Sequence, residues 1–149
     1  FTCYENMDEL KNEFLAFAYE YYEQYVTDYR NSTKVSPLLL LPLSYIEFAR
    51  EETHLFKLLF INDMDLKMKE AKDFYEEADN EERARLFSER ARVIFLDLFL
   101  YTHGIAVLTA TKKITLDRSS AETMVANVLS AFIKREKPDW NDEYLRSTK

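Results

Sequence analysis

Residues that interrupt helices are almost absent from this chain, which has one glycine and three prolines among 149 residues. Tight hairpin turns need residues such as glycine or asparagine that accept a positive φ, so a sheet-rich fold is disfavoured. Apolar residues recur at spacings of three and four, which is the pattern of helices that bury one face. The sequence therefore predicts an all-α fold, and a chain of this length can form a core without disulfides or metals.

Capping residues and apolar spacing divide the chain into helices. Pro42 falls inside the second of these and should kink or restart it, because proline has no amide hydrogen and its ring clashes with the preceding turn. A capping box at Ser119 marks the start of the last helix, whereas Gly104 either bends a long helix or allows close packing. The predicted helices cover residues 6–29, 36–52, 53–61, 62–78, 81–103 with a continuation to about 113, and 119–137.

Charge and cysteine content narrow the function. The net charge is −7, and an acidic surface repels phosphate backbones, so we do not expect this part of the protein to bind DNA through its own surface. The single cysteine, Cys3, excludes an internal disulfide and fits a reducing compartment. The longest apolar run, Pro37–Leu43, is far too short to span a bilayer. We therefore expect a cytoplasmic protein with no membrane partner.

The sequence contains no convincing motif for catalysis or for a cofactor. Glu51 and His54 have the Glu-x-x-His spacing of di-iron bundles, but such sites need that motif twice, and Leu100 holds the matching position before His103. The stretch 62–65 lacks the glycine and the terminal glutamate of a calcium loop. A phosphate-binding loop and a supported nucleophile–base pair are also missing from the sequence. We expect no enzyme activity, no metal and no cofactor.

Three segments, in order, resemble regulators of the TetR/AcrR type. The first is Phe1–Leu10, which is similar to the junction between the recognition helix and the first long helix of the regulatory domain. The second, Tyr45–Phe56, has a helix ending in phenylalanine-alanine, then a turn and a leucine-phenylalanine pair. The third is the histidine-glycine step of His103–Ala106. Phe1 and Met7 depart from the family pattern, which often has a phosphate-contacting tyrosine and a lysine at those places.

This resemblance implies an organisation and a function. Residues 1–5 would be the end of a recognition helix, 6–138 a ligand-binding and dimerisation domain, and 139–149 a polar tail, with the helix-turn-helix headpiece largely absent. The last two long helices would form a four-helix bundle with those of a second copy. A small molecule would shift the first long helix and release operator DNA from the headpieces, as in a repressor. The alternative is a stand-alone helical small-molecule-binding or adaptor protein with no DNA role.

Aromatic residues, which make up 15% of the chain, suggest where that small molecule would bind. Rings that face inward from several helices are typical of a site for a hydrophobic or aromatic effector, and tyrosine hydroxyls can orient it. The alternative is plain core packing, because most buried aromatic residues are structural. The predicted ligand-binding residues are Phe14, Phe17, Tyr21, Tyr25, Tyr45, Phe48, Phe60, Phe95, Phe99 and His103, with Phe56 beside Phe60.

A homodimer interface is predicted from apolar surface alone. Residues Val93–Tyr101 are apolar at every position except Asp97, and a helix that is apolar all round must be covered all round. One chain of this size covers only one side of a peripheral helix, so a second copy is expected on the other. A second apolar stripe, Ala121–Ile133, lies on the last helix. The alternative is that both stripes are internal core. The predicted interface residues are Val93, Leu100, Ala121, Met124, Val125, Val128, Leu129 and Phe132.

Overall fold

A computed structural model describes residues 7–62 and 91–146, and these residues contain helices and no strand. The all-α prediction is therefore confirmed for this part of the chain. The segment 1–5, the first residue of the predicted helix 6–29, the predicted helix over 62–78 apart from Asn62, residues 81–90 of the next predicted helix and residues 147–149 lie outside the described residues. The helices are α1 (Met7–Ser32), α2 (Leu40–Glu51), α3 (Thr53–Lys57), α4 (Ala91–Ala110) and α5 (Arg118–Glu136), with a π-helix at Leu58–Asn62 and a 3-10 helix at Asp142–Leu145.

The central element is α2, which α1, α3, α4 and α5 all contact. Nine of its twelve residues are buried, on every side of the helix. A helix that is apolar all round must be enclosed, and within the described residues this holds for α2. On α4, for which cover by a second copy was predicted, Val93, Leu100 and Leu108 are exposed in the single chain.

Of the kink or restart that was predicted at Pro42, the structure shows a helix that starts beside this residue. The helix begins at Leu40, so Pro42 lies in the first turn, where an amide hydrogen would have no acceptor within the helix. The chain enters the helix through a turn that begins at Ser36, whose hydroxyl accepts a hydrogen bond from the amide of Leu38 at 3.3 Å. A serine-proline pair here starts a turn that precedes the helix rather than the helix itself.

The start of α5 also differs from the prediction. Asp117, two residues before Ser119, is the N-cap, and its carboxylate accepts a hydrogen bond from the amide of Ser120 at 2.6 Å. Because that hydrogen bond stabilises the charged form, the pKa of Asp117 is lowered. Gly104 neither ends nor interrupts α4, and a Cβ at this position would meet no atom within 4 Å. Close packing, one of the two outcomes expected at Gly104, is therefore not found among the described residues.

A buried carboxylate fastens α2 to α5. Glu47 is 4% exposed and pairs with the guanidinium of Arg50 one turn later. Arg118, at the start of α5, reaches the same carboxylate at 3.3 Å and also lies over the ring of Tyr29, 5.7 Å from its centroid. Burial acts to raise the pKa of Glu47, but the hydrogen bonds from the two arginines outweigh it and hold the pKa below its ordinary value.

The segment that was expected to be a polar tail packs against the helices as far as it is described. Leu145 is buried, and Trp140 stacks on Tyr144 with ring centroids 5.3 Å apart. Asp142 accepts hydrogen bonds from Ser130 and Lys134 of α5, at 2.7 and 2.9 Å. The Ser36 hydroxyl donates to the carbonyl of Tyr144, so the segment after α5 also holds the loop between α1 and α2.

Two buried threonines of α4 differ in whether their hydroxyl is hydrogen-bonded, so they test what an unsatisfied buried hydroxyl costs in stability. Thr102 is 2% exposed, and its hydroxyl has no hydrogen-bond partner within the described part of the chain. Thr102→Val should raise the free energy of unfolding by about 1 kcal/mol, because it removes an unsatisfied buried hydroxyl without changing the side-chain shape. Urea unfolding monitored by circular dichroism measures this change.

Thr109→Val is the control for that prediction. The Thr109 hydroxyl is equally enclosed but donates to the carbonyl of Ile105 at 2.8 Å, so its removal should bring no gain in stability. A stabilisation of the same size in both variants would show that added apolar volume, rather than the orphaned hydroxyl, is responsible.

Candidate ligand site

Aromatic rings from five elements meet between α1, α2 and α4. Tyr45 lies at the centre, with ring centroids of Phe56, Phe60 and Phe99 at 5.2, 5.0 and 5.9 Å. Most of these rings meet edge to face or tilted, the arrangement that aromatic quadrupoles favour. We call this group the aromatic cluster, and its members are Tyr22 of α1, Tyr45 and Phe48 of α2, Phe56 of α3, Phe60 of the π-helix, and Phe99 and His103 of α4.

The polar feature of the aromatic cluster is a hydrogen bond between Tyr45 and His103. The Tyr45 hydroxyl lies 2.7 Å from Nδ1 of His103, and Tyr45 is 5% exposed. If the hydroxyl only accepted, its own proton would be buried without an acceptor, so the hydroxyl donates and Nδ1 accepts. The imidazole is therefore neutral and carries its proton on Nε2.

Burial keeps both members of this pair uncharged. Burial lowers the pKa of His103 and raises the pKa of Tyr45, because a low-dielectric surrounding disfavours the charged form of each group. His103 also stacks on Phe99, with an interplanar angle of 20° and centroids 5.8 Å apart. The site thus offers ring faces and a neutral polar pair, a combination suited to an uncharged ligand with an aromatic or apolar body.

Six of the predicted ligand-binding residues come together, and three do not. Tyr45, Phe48, Phe60, Phe99 and His103 belong to the aromatic cluster, and Tyr25 borders it by packing edge-on against Phe48 with centroids 5.2 Å apart. The side chain of Phe95 lies outside the described part of the structure. The three that lie apart are on α1: Phe14 and Phe17 are exposed, and exposed Tyr21 donates a hydrogen bond to Glu52 at 2.9 Å.

Tyr22 belongs to the aromatic cluster, although it was not among the predicted ligand-binding residues. Its ring meets Phe48 and Phe60 with centroids 4.9 and 5.0 Å away. The signal that identifies it is its register with Ala18 and Val26, one turn to either side, both of which are buried. Phe14, Phe17 and Tyr21 follow a different register, and their side chains are exposed.

The predicted dimer-interface residues divide into some that are buried within the single chain and others that retain exposed surface. Ala121, Val125 and Leu129 are buried against the chain's own core, so their side chains are not available to a second copy. That part of the stripe follows the alternative in which it is internal core. Surface remains on Val93 and Leu100 of α4, which are 40% and 61% exposed. The half-buried predicted residues of α5 are Met124, Val128 and Phe132.

Other kinds of site are not evident among residues 7–62 and 91–146. This part contains no group of three or more histidine, cysteine, aspartate or glutamate side chains that could hold a metal ion. No helix in it is both long and apolar enough to cross a membrane. An open surface hollow of about 410 Å³ extends from Arg50–Leu55 to Lys112 and carries charges of both signs. Comparisons with protein-family models, curated proteins and solved structures gave no match.

The neutral state of His103 predicts a pH dependence of stability. The folded-state pKa lies below the unfolded value of 6.5, so the unfolded chain takes up the proton first as the pH falls. The free energy of unfolding should therefore be highest above about pH 6.5 and should decline below it. Urea unfolding between pH 8 and pH 5.5 measures this decline.

The variant His103→Phe keeps a ring against Phe99 and should have a lower free energy of unfolding. Because it has no imidazole at this position, its free energy of unfolding should fall less steeply as the pH is lowered. Carboxylates that titrate at lower pH act in both proteins, so the difference between the two pH profiles is the relevant quantity. Parallel profiles would contradict the assignment of a neutral His103.

Proposed function

We propose that this chain is the effector-sensing, dimer-forming domain of a TetR-type transcriptional regulator that releases DNA when a small molecule binds. The observation that carries the proposal is the aromatic cluster, in which the Tyr45–His103 pair lies among rings from α1, α2 and α4. A domain that senses a hydrophobic molecule needs a neutral site with a polar group that orients the ligand, and the aromatic cluster has both properties. The resemblance of Tyr45–Phe56 and His103–Ala106 to that family falls on the same elements.

The position of the aromatic cluster gives a route from ligand to DNA. Tyr22 connects the cluster to α1, the helix that corresponds to the family's link to the headpiece. A ligand that changes the packing around Tyr22 would shift α1 and with it the separation of two headpieces. Operator half-sites lie about one helical turn apart, so a change of a few Å at each headpiece weakens binding.

Dimerisation would use the exposed side of α4. Val93, Leu100 and Leu108 lie along one face of the helix, and Gly104 lies between the last two. An ion pair of Asp97 with Arg135, 3.2 Å long, connects this face to α5. Placed against the same face of a second copy, α4 and α5 would complete a four-helix bundle with twofold symmetry.

Leu100→Glu should abolish the dimer and leave the monomer folded, because Leu100 is exposed in the chain but would be covered by the partner. Sedimentation velocity at tens of micromolar measures the oligomeric state. Leu41→Glu is the matched control, because Leu41 is an exposed leucine of α2, away from that face. Leu129→Glu should instead unfold the chain, since Leu129 is fully buried. An unmutated chain that is monomeric at high micromolar concentration would contradict the dimer.

The regulatory role is tested with the intact protein and DNA from its own promoter region. Compounds that raise the melting temperature in a thermal-shift screen are ligands by linkage. In a gel-shift assay, these compounds should release the DNA, and compounds that leave the melting temperature unchanged should not. An intact protein that binds such compounds but no promoter DNA would instead be a small-molecule-binding protein without a DNA role.

A further inference from the structure

Phe60 occupies an unusual place in the aromatic cluster. Rings of three other elements contact it, as rings contact the central Tyr45, yet Phe60 is only half buried whereas Tyr45 is buried. The nearest ring centroids are 5.0 Å away, and the farthest of the five is at 6.5 Å. Its neighbours are Tyr19 and Tyr22 of α1, Tyr45 and Phe48 of α2, and Phe56 of α3.

The backbone that carries Phe60 is a π-helix over Leu58–Asn62 that continues directly from α3. π-Helices are rare, and they occur mostly as short segments at functional sites. None of these five residues is buried, although four of them are leucine, phenylalanine or isoleucine. Apolar side chains that remain half exposed on irregular backbone contribute less to stability than core residues do, so this segment can rearrange at low cost.

We propose that Phe60 is an internal substitute for the effector's ring, and that an effector enters the aromatic cluster by expelling it as the π-helix rearranges. This inference rests on the proposed function and specifies its ligand: an uncharged molecule whose inserted part is an aromatic ring of about the size of a phenyl group. Tyr45 and Phe48 would form the inner wall of the vacated space, with the Tyr45–His103 hydrogen bond intact beside it.

The chemistry of the neighbouring groups supports an uncharged ligand. The hydroxyl proton of Tyr45 is held by His103, so no charged group of the aromatic cluster faces the position of Phe60. The nearby carboxylate of Glu52 receives a hydrogen bond from Tyr21 on the exposed side of α1. An ionised group placed among these rings would lose its hydration without a counter-charge, which is strongly unfavourable.

Expulsion of Phe60 would also explain how binding reaches α1. Phe60 is the residue of the π-helix whose ring contacts both Tyr19 and Tyr22. When this ring leaves, the π-helix loses its aromatic contacts with α1, whereas the contact of Tyr22 with Phe48 remains. The ring of Phe60 links the π-helix to α1. A ligand ring in its place would fill the space but would not link these two elements.

Toluene is a suitable probe because it has the structure of a phenylalanine side chain. The unmutated chain must expel Phe60 before toluene binds, whereas in Phe60→Ala the space is already vacant. Isothermal titration calorimetry should therefore show toluene binding to Phe60→Ala about tenfold more tightly or better. Phe60→Leu, a smaller change, provides the same comparison if the alanine variant does not fold. Equal affinity for the unmutated chain and both variants would overturn the proposal.

A second measurement follows the displaced ring. In Phe60→Trp, after subtraction of the Trp140 signal of the unmutated chain, the emission of the introduced tryptophan should shift to the red when toluene binds. The matched control adds Phe56→Ala, where toluene can fill the new cavity left by Phe56 and the tryptophan emission should not change. If tryptophan does not fit, faster hydrogen exchange of the Leu58–Asn62 amides in the unmutated chain with toluene reports the same event.

Toluene that binds the unmutated chain without moving the introduced tryptophan or the Leu58–Asn62 amides would overturn the expulsion. These experiments need no DNA, so their failure is distinct from failure of the regulatory proposal. If toluene expels Phe60 but no ligand releases promoter DNA from the intact protein, the ligand site stands and the regulator does not.

Discussion

The enclosure of α2 is the constraint on which the rest of the described structure depends. With residues buried on all its sides, this helix is stable only if other elements cover each of them, and α1, α3, α4 and α5 do so. Enclosure also buries Glu47, which needs cations close by because a lone buried carboxylate is very unfavourable. Arg118 supplies one of them from α5 and so fixes where that helix begins relative to α2. The same enclosure brings Tyr45 and Phe48 into the aromatic cluster.

Composition and spacing were sufficient to predict helices, but not which helix is central or that Ala121, Val125 and Leu129 of α5 are buried within one chain. The sequence Leu40–Ala49 contains Pro42, Ser44 and Glu47, which reduce its apparent apolar character, whereas α4 is the more apolar helix. The local i,i+3 spacing shows that Arg50 can pair with Glu47, but the second cation, Arg118, comes from far along the chain. Local patterns do not contain that second partner.

The ligand site was predicted in part, and the errors lie on one helix. α1 carries two apolar registers, one through Phe14, Phe17 and Tyr21 and the other through Ala18, Tyr22 and Val26. Both have helical spacing, so only the position of α2 decides which one faces inward. The π-helix at Leu58–Asn62 is a second feature that spacing did not predict, although Phe60, which it carries, was among the predicted residues. If a protein side chain fills a ligand site, the apparent affinity for the ligand is reduced by the fraction of molecules in which that side chain is displaced.

The hydrogen bond from the Ser36 hydroxyl to the Tyr144 carbonyl holds the chain just after the C-terminal end of α1. It holds the loop after α1 against the segment that follows α5, while Tyr29 is buried near the same end of the helix. Met7, Phe14 and Phe17 at the other end are exposed. A rotation of α1 about its Tyr29 end would therefore displace the Met7 end most, and the aromatic cluster contacts the helix between these two ends. Since Met7 is about 33 Å from Tyr29 along the axis, a rotation of roughly 5° moves it by about 3 Å.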